Sequence, residues 1–333
     1  MARRAFYQIM VSGQDISSRF NPLLIDIRIS DREGTHSDTA SIRLDDRDGR
    51  IALPRTGAPI MLGWEGLGAA SVFIGTVDEV KSSGSRGGGR ELAISAKGVD
   101  TEGTSKQPQQ KHMDNKTVKE ALEEAGRAAG ITAIKVDPSF ASQRRDWWGL
   151  NDESFLHFGE RVARELGGIF KVRGTEAILA AKGGGSATGL AMGSVTGRYS
   201  DNLISWDISP TMGRPRHRRA RARWYDPKAA KWQDIEVDIQ DQGARATMGD
   251  RFSRADRTEA QGSANNGAKD SEREKGGGSA TIDGNAAARP GGVFILTGTR
   301  PGIDGAYRIE GVEHSYSRAG WTTKLDLKQP QAG

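Results

Sequence analysis

Ile60-Met61-Leu62-Gly63, then Gly75-Thr76-Val77-Asp78-Glu79-Val80, then Leu92-Ala93-Ile94: these segments read as a strand, a strand with a bent register, a glycine-serine hairpin and a closing strand. The same texture returns near the other end of the chain, at similar spacings. There it runs Phe294-Ile295-Leu296, Tyr307-Arg308-Ile309-Glu310-Gly311-Val312, the polar Ser317 to Gly320, and Leu325-Asp326-Leu327. Either any two β-meanders look this alike, or the chain holds two related β domains with a helical domain inserted between them. The second alternative has a geometric consequence. Three copies of such a chain present six similar units around a ring, which can sit against a sixfold tube without symmetry mismatch.

Outward from these segments the first hundred residues alternate as strands do. Ala5 to Val11, Leu23 to Ile29, Thr39 to Leu44, Ala58 to Trp64, Val72 to Val80 and Arg90 to Lys97 are expected strands, with Leu23, Ile25, Ile27 and Ile29 on one face. Hairpin-length connections make this a small antiparallel barrel or sandwich. After Gly103 the texture changes. Thr117-x-x-Glu120 is a capping box, and Val118, Ala121, Leu122, Ala125 and Ala129 repeat with helical spacing up to Gly130. A second helix is expected from Asn151-Asp152, with Phe155, Phe158, Val162 and Leu166 as its stripe and Gly167-Gly168 as its stop. Strands at Ile169 to Arg173 and Ala177 to Ala181 complete a mixed α/β domain, and Lys182 to Gly189 reads as a flexible link. Beyond Gly197, strands are expected at Leu203 to Ile208, Arg218 to Tyr225 and Trp232 to Ile239. An exposed helix is expected over Arg251 to Lys275, a break at Gly276 to Gly278, and β-structure to the end. The division is therefore 1–103, 104–190 and 191–333, and the class is β-rich α+β.

Composition narrows the function. The 333 residues carry a net charge of +5 with no cysteine, which excludes disulfides and thiolate metal sites. No apolar run approaches the roughly 20 residues that span a bilayer. Nor does an apolar signal-peptide core follow Met1-Ala2-Arg3-Arg4, so the chain is expected to remain in the cytoplasm where it is made.

Catalytic and metal-binding patterns are missing. His36, His112, His157, His217 and His314 are widely spaced and lack the pairing of a zinc site, and His157 is expected to pack or hydrogen-bond on its helix. Gly185-Ser186-Ala187-Thr188-Gly189 has its serine one place too early for a nucleophile elbow. The clusters Gly87 to Gly89, Gly183 to Gly185 and Gly276 to Gly278 lack a Lys-Ser/Thr ending and read as turns. Asp46-Arg47-Asp48-Gly49 misses two carboxylates of a calcium loop. No catalytic residue, cofactor or metal is expected.

The strongest charge feature is the run Arg214, Arg216, Arg218, Arg219, Arg221 and Arg223. On a strand Arg219, Arg221 and Arg223 share one face, with Ala220, Ala222 and Trp224 on the other. The three arginines are candidate contacts for a partner subunit, nucleic acid or a channel; a plain solvated face is the alternative.

Three blocks together resemble the phage late control protein D family, the baseplate hub proteins of contractile tails. The first is Val11-x-Gly13-x-Asp15-Ile16, Leu24-x-Asp26-Ile27-x-Ile29-x-Asp31 and Ser41-Ile42-x-Leu44-Asp45-Asp46. The second runs from Asn151-Asp152-Glu153-Ser154-Phe155-Leu156 through Ala163-x-Glu165-Leu166-Gly167-Gly168. The third is Gly305-x-Tyr307-x-Ile309-x-x-Val312-x-His314 with Gly320-Trp321-Thr322-Thr323-x-Leu325-x-Leu327. The family is similar in fold to the hub of T-even tails and to the front part of the type VI secretion spike. The resemblance covers nearly the whole chain. It implies two tube-like antiparallel β-barrel domains around an inserted α/β domain, and a homotrimeric hub in the virion. It also implies that His314 is a structural turn residue. The implied partners are the tail tube or distal tail protein, a separate spike protein, tape measure protein and other baseplate subunits, with DNA only in transit. A DNA-binding late-gene regulator and a tail-tip cell-wall hydrolase are the rival functions.

Overall fold

The computed structural model describes residues 5–33, 37–65, 70–99, 103–182, 193–210, 216–241, 243–274 and 276–329. His36, Arg214, Lys275 and the glycine-rich stretch 183–192 lie outside them, as does nearly all of the expected link from Lys182 to Gly189.

The chain opens with β1 (Phe6–Val11), the short β2 (Gln14–Asp15), a one-turn helix α1 (Ser17–Phe20) and β3 (Leu24–Arg32). Then come β4 (Thr39–Asp45), β5 (Pro59–Glu65), β6 (Ala70–Ser85) and β7 (Gly89–Lys97). They pair in the order β1-β5-β6-β7-β4-β3, antiparallel throughout. Alternation supplies the core: Ile27 and Ile29, Ile42 and Leu44, Leu92 and Ile94 all point inward onto Ile9, Phe73 and Val77. The expected face of β3 needs one correction. A bulge between Leu24 and Asp26 shifts the phase by a residue, so Leu24 rather than Ile25 joins Ile27 and Ile29 in the buried core, and Leu23 packs against it only partly buried.

A 3-10 turn at Thr104–Lys106 leads into the insertion. It contains β8 (Pro108–Thr117), α2 (Val118–Ala128), β9 (Ala133–Val136), α3 (Pro138–Ala141), β10 (Arg144–Ser154), α4 (Phe155–Leu166), β11 (Gly168–Arg173) and β12 (Glu176–Ala181). The capping box at Thr117 and Glu120 is formed, and Val118, Ala121, Leu122 and Ala125 meet Phe155, Phe158, Val162 and Phe170 in one core. Asn151 and Asp152 do not start α4; they belong to β10, and the helix begins at Phe155 under a Ser154 cap. The left-handed Gly167 (φ 70°) ends it.

The remainder comprises β13 (Ser194–Arg198), β14 (Leu203–Ser209), β15 (His217–Asp226), β16 (Lys231–Asp238), β17 (Ala246–Gly249) and α5 (Arg257–Arg273). Last are β18 (Gly277–Asp283), β19 (Val293–Thr297), β20 (Gly305–Ser317) and β21 (Gly320–Lys328). Two expectations fail here. The helix α5 is not an exposed one: Ala260, Ala264 and Ala268 are buried beneath the sheet β16-β15-β17, against Ala220 and Ala222. Gly277 and Gly278 open β18 rather than break the chain. A Cβ on Gly278 would lie 2.0 Å from the Asp207 carbonyl oxygen, so the close strand approach requires glycine.

The second group of strands pairs in the order β13-β19-β20-β21-β18-β14. Numbered along the chain, this is the order of β1-β5-β6-β7-β4-β3. Two of the bulges coincide too. Leu24/Asp26 on β3 matches Leu203/Ser205 on β14, and Val77/Glu79 on β6 matches Ile309/Gly311 on β20. The register equates Ile60 with Phe294, Val77 with Ile309 and Val80 with Val312, as the sequence echo does. The closing strand differs: Ile94, not Leu92, corresponds to Leu325, because Val80 faces Ile94 and Val312 faces Leu325. The groups also depart at one pairing, since β13 runs parallel to β19 whereas β1 runs antiparallel to β5.

Candidate assembly surfaces

The arginine run sits on β15. Arg219, Arg221 and Arg223 are exposed on the open face of its sheet, while Ala220 and Ala222 are buried against α5. Across the strand pair they face Asp238, Glu236 and Asp234 on β16. Arg219 donates to Asp238 (3.0 Å) and Glu236 (3.1 Å), and Arg223 donates to Asp234 (2.8 Å). The hydrogen bond from Arg223, with the charges of Arg223 and Arg221, holds the Asp234 carboxyl below its usual range. Arg216 grips the buried Asp241 through two bonds, 2.7 and 2.5 Å. The face is therefore a ladder of alternating charge, not a positive stripe. At its end Tyr225 and Trp232 meet edge to face with 5.3 Å between ring centroids, both substantially exposed.

A second charged group, invisible in the sequence, lies where the insertion meets the first strand group. Lys171 on β11 donates to Asp31 (2.5 Å) and Asp38 (2.8 Å), and Arg173 donates to both (3.1 Å each). Burial opposes ionisation of Asp31, but Lys171 and Arg173 outweigh it and keep its carboxyl below the usual range. Burial and the Asp31 charge push Asp38 the other way. Nearby, Arg308 pairs with Glu33. These partners are separated by up to 275 residues in sequence, so no local pattern announces them.

The two strand groups meet at β20. Its first part pairs with β19, and its second part, Gly311–Ser317, accepts β3 antiparallel on the same edge. His314 lies inside this strand, buried opposite Ile29 and Thr323, and is not a turn residue as the resemblance implied. Its Nδ1 is 3.0 Å from the Thr323 hydroxyl. Burial, with the Arg289 charge, pulls its pKa down to about 3. His157, expected to pack on its helix, is instead exposed on α4, and His112 is exposed on β8.

Two strand edges matching this junction stay open. Among the described residues, β14 ends its sheet with no strand beyond it, and β6 beyond Glu79 has β7 on one side and no strand on the other. On β14, Ile204 and Trp206 are exposed, with Tyr199 edge-on to Trp206 at 5.5 Å.

No family model matches the chain. It is 31% identical over 133 residues to a probable baseplate hub protein of Escherichia phage 186, covering 39% of this chain and 33% of that protein. It is 29% identical over 198 residues to the probable baseplate hub protein of Escherichia phage P2, covering 59% and 50%. The chain is related to phage baseplate hub proteins. The matched parts span between a third and a half of the hub relatives' own length. The fold has fuller counterparts. A tail protein of Neisseria meningitidis superposes with a TM-score of 0.73 at 16% identity, covering 98% of this chain and 97% of that one. The 43 kDa tail protein of a Shewanella oneidensis prophage gives 0.73 at 14% identity, covering 97% and 98%. An Escherichia coli component of the type VI secretion system, described as structurally similar to T4 tail proteins, gives 0.61 at 12% identity, covering 97% and 77%. At such identities the likeness shows the fold, and the β-rich hub-type architecture expected from the sequence is met.

Proposed function

We propose that the chain is a structural hub of a phage tail baseplate or related injection machine. Three copies form a pseudo-sixfold ring that joins a tail tube to a central spike. The observation that carries this reading is the duplication: two strand groups of one order, with matching bulges, already joined edge to edge inside each chain. Three such chains supply six alike units, the arrangement that matches a sixfold tube without mismatch. The domain division is 1–103, 104–190 and 191–333, the last part carrying β15 to α5 as a separate small layer. The implied partners are the tube or distal tail protein, the spike and neighbouring baseplate subunits, with DNA passing through the channel. Arg219, Arg221 and Arg223 offer such a partner a charge-alternating face. The pairing of Arg219 and Arg223 with acidic residues of β16 weighs against a DNA-binding regulator.

Light scattering on the purified protein, alone and with its spike, tests the assembly, and negative-stain images test its shape. A trimer, or a monomer that becomes a trimer with the spike, and threefold rings are expected; a stable dimer overturns the proposal.

A further inference from the structure

Resting on the ring reading, we propose that neighbouring copies join by adding β14 of one chain to the open edge of β6 in the next. The junction inside each chain sets the register.

The argument is one of equivalence. Matching bulges equate Leu24-Ile25-Asp26-Ile27-Arg28-Ile29-Ser30 on β3 with Leu203-Ile204-Ser205-Trp206-Asp207-Ile208-Ser209 on β14. They equate Lys81 to Ser85 on β6 with Glu313 to Ser317 on β20. Inside the chain Arg28 faces Ser315, Ile29 faces His314 and Ile27 faces Tyr316. Between copies Asp207 would therefore face Ser83, Ile208 would face Ser82 and Trp206 would face Gly84.

The side chains fit that register on both faces. On the polar face, Arg28 and Glu313 sit diagonally across the internal junction and line one groove. Their equivalents are Asp207 and Lys81: the pair is again of opposite charge, with both signs exchanged. On the other face, a large residue meets a small one. Trp206 replaces Ile27 where Gly84 replaces Tyr316, so the bulkier indole enters the space that the missing ring leaves. Trp206 is 39% exposed and Ile204 53% exposed in the single chain, an apolar unpaired strand edge of the sort proteins cover. At the hairpin tip Arg318 donates to the Pro22 carbonyl (3.2 Å). The equivalent of Arg318 is Arg86. The equivalent of Pro22, two residues before the matched leucines, is Asp201, so this contact becomes an ion pair between copies.

The absence of native cysteine allows a direct test. Residues facing each other across antiparallel strands have Cα atoms about 4.5–5.5 Å apart, within disulfide reach. The doubly substituted Asp207→Cys/Ser83→Cys chain, mildly oxidised, should run as covalent dimers and trimers on a non-reducing gel. Asp207→Cys/Ser82→Cys, whose side chains leave opposite faces, should not. Asp207→Lys should weaken trimers by roughly twofold to fivefold per interface, and adding Lys81→Asp should restore them. Trimers by light scattering that never cross-link at 207 and 83 would overturn the pairing while sparing the ring. Monomers under all conditions, with the spike included, would overturn both.

Discussion

Lys171 is the residue on which the seating of the insertion turns. It reaches across from β11 to two buried carboxylates, Asp31 and Asp38, so its removal takes away one of the two cations paired directly with them and leaves Arg173 and the nearby charge of Arg289. Breaking such a buried group from one side costs about 3–5 kcal/mol, far more than an exposed pair. Lys171→Met should lower the urea midpoint accordingly, and Lys171→Met/Asp38→Asn should recover part of the loss, since one fewer carboxylate is then left without its cation. His314 makes a different prediction. Its ring stays neutral in the fold down to about pH 3, whereas in the unfolded chain it takes a proton near its ordinary 6.5. The stability it contributes is complete above 6.5 and falls as pH drops toward 3. The raised carboxyls of Glu33 and Asp38 work in the opposite direction, so the wild type must be compared with His314→Gln. Between pH 7 and 5 the wild type should lose about 2 kcal/mol more than the variant, measured by urea unfolding at each pH.

At the scale of elements, small residues decide where helix and sheet can meet. Helix α5 is legible in sequence only as a polar, alanine-dotted segment. The alanines at 260, 264 and 268 are its packing face, and the partner is the alanine face of β15 rather than solvent. Ala264 is 2% exposed, and Ala264→Leu should overpack this contact at about 1–3 kcal/mol. Limited proteolysis should then cut the segment 216–274 first. The same element explains why the arginine run misleads. Strand alternation places Arg219, Arg221 and Arg223 correctly on one face, but their acidic partners on β16 face them only once the hairpin has closed. What was readable in advance was local: the capping box, the glycine stop at Gly167, and the strand pairs around Val77 and Ile309. Register was less so. The bulge after Leu24 and the two-residue offset in β7 depend on pairing across strands, which no single window of sequence contains. The Lys171 and Arg173 contacts to Asp31 and Asp38 were hidden for the same reason.

For the whole molecule, strand direction sorts the two rims of the proposed ring. β3, β7, β14 and β21 all run the same way, because each is separated from the next by an even number of antiparallel pairings. The α/β insertion departs after β7, and the layer from β15 to α5 departs after β14, so both leave from one end of the sheet. Asp31 and Asp38 hold the insertion at that same end. The opposite end carries tight hairpins in both groups, Arg86 to Gly88 after β6 and Arg318-Ala319 after β20. A rim where the two groups look alike repeats six times around a trimer; a rim where one group bears a different appendage from the other repeats three times. The hairpin rim differs between the groups by β2 and α1, which sit beside it in the first group only, yet it is the more alike of the two and suits a sixfold tube, while the appended rim suits a threefold spike. Ala319→Cys labelled with maleimide-gold should place metal at the tube-facing end of hub–tube complexes viewed by negative stain. Gold on the spike-facing end would reverse the assignment of rims while leaving the ring itself intact.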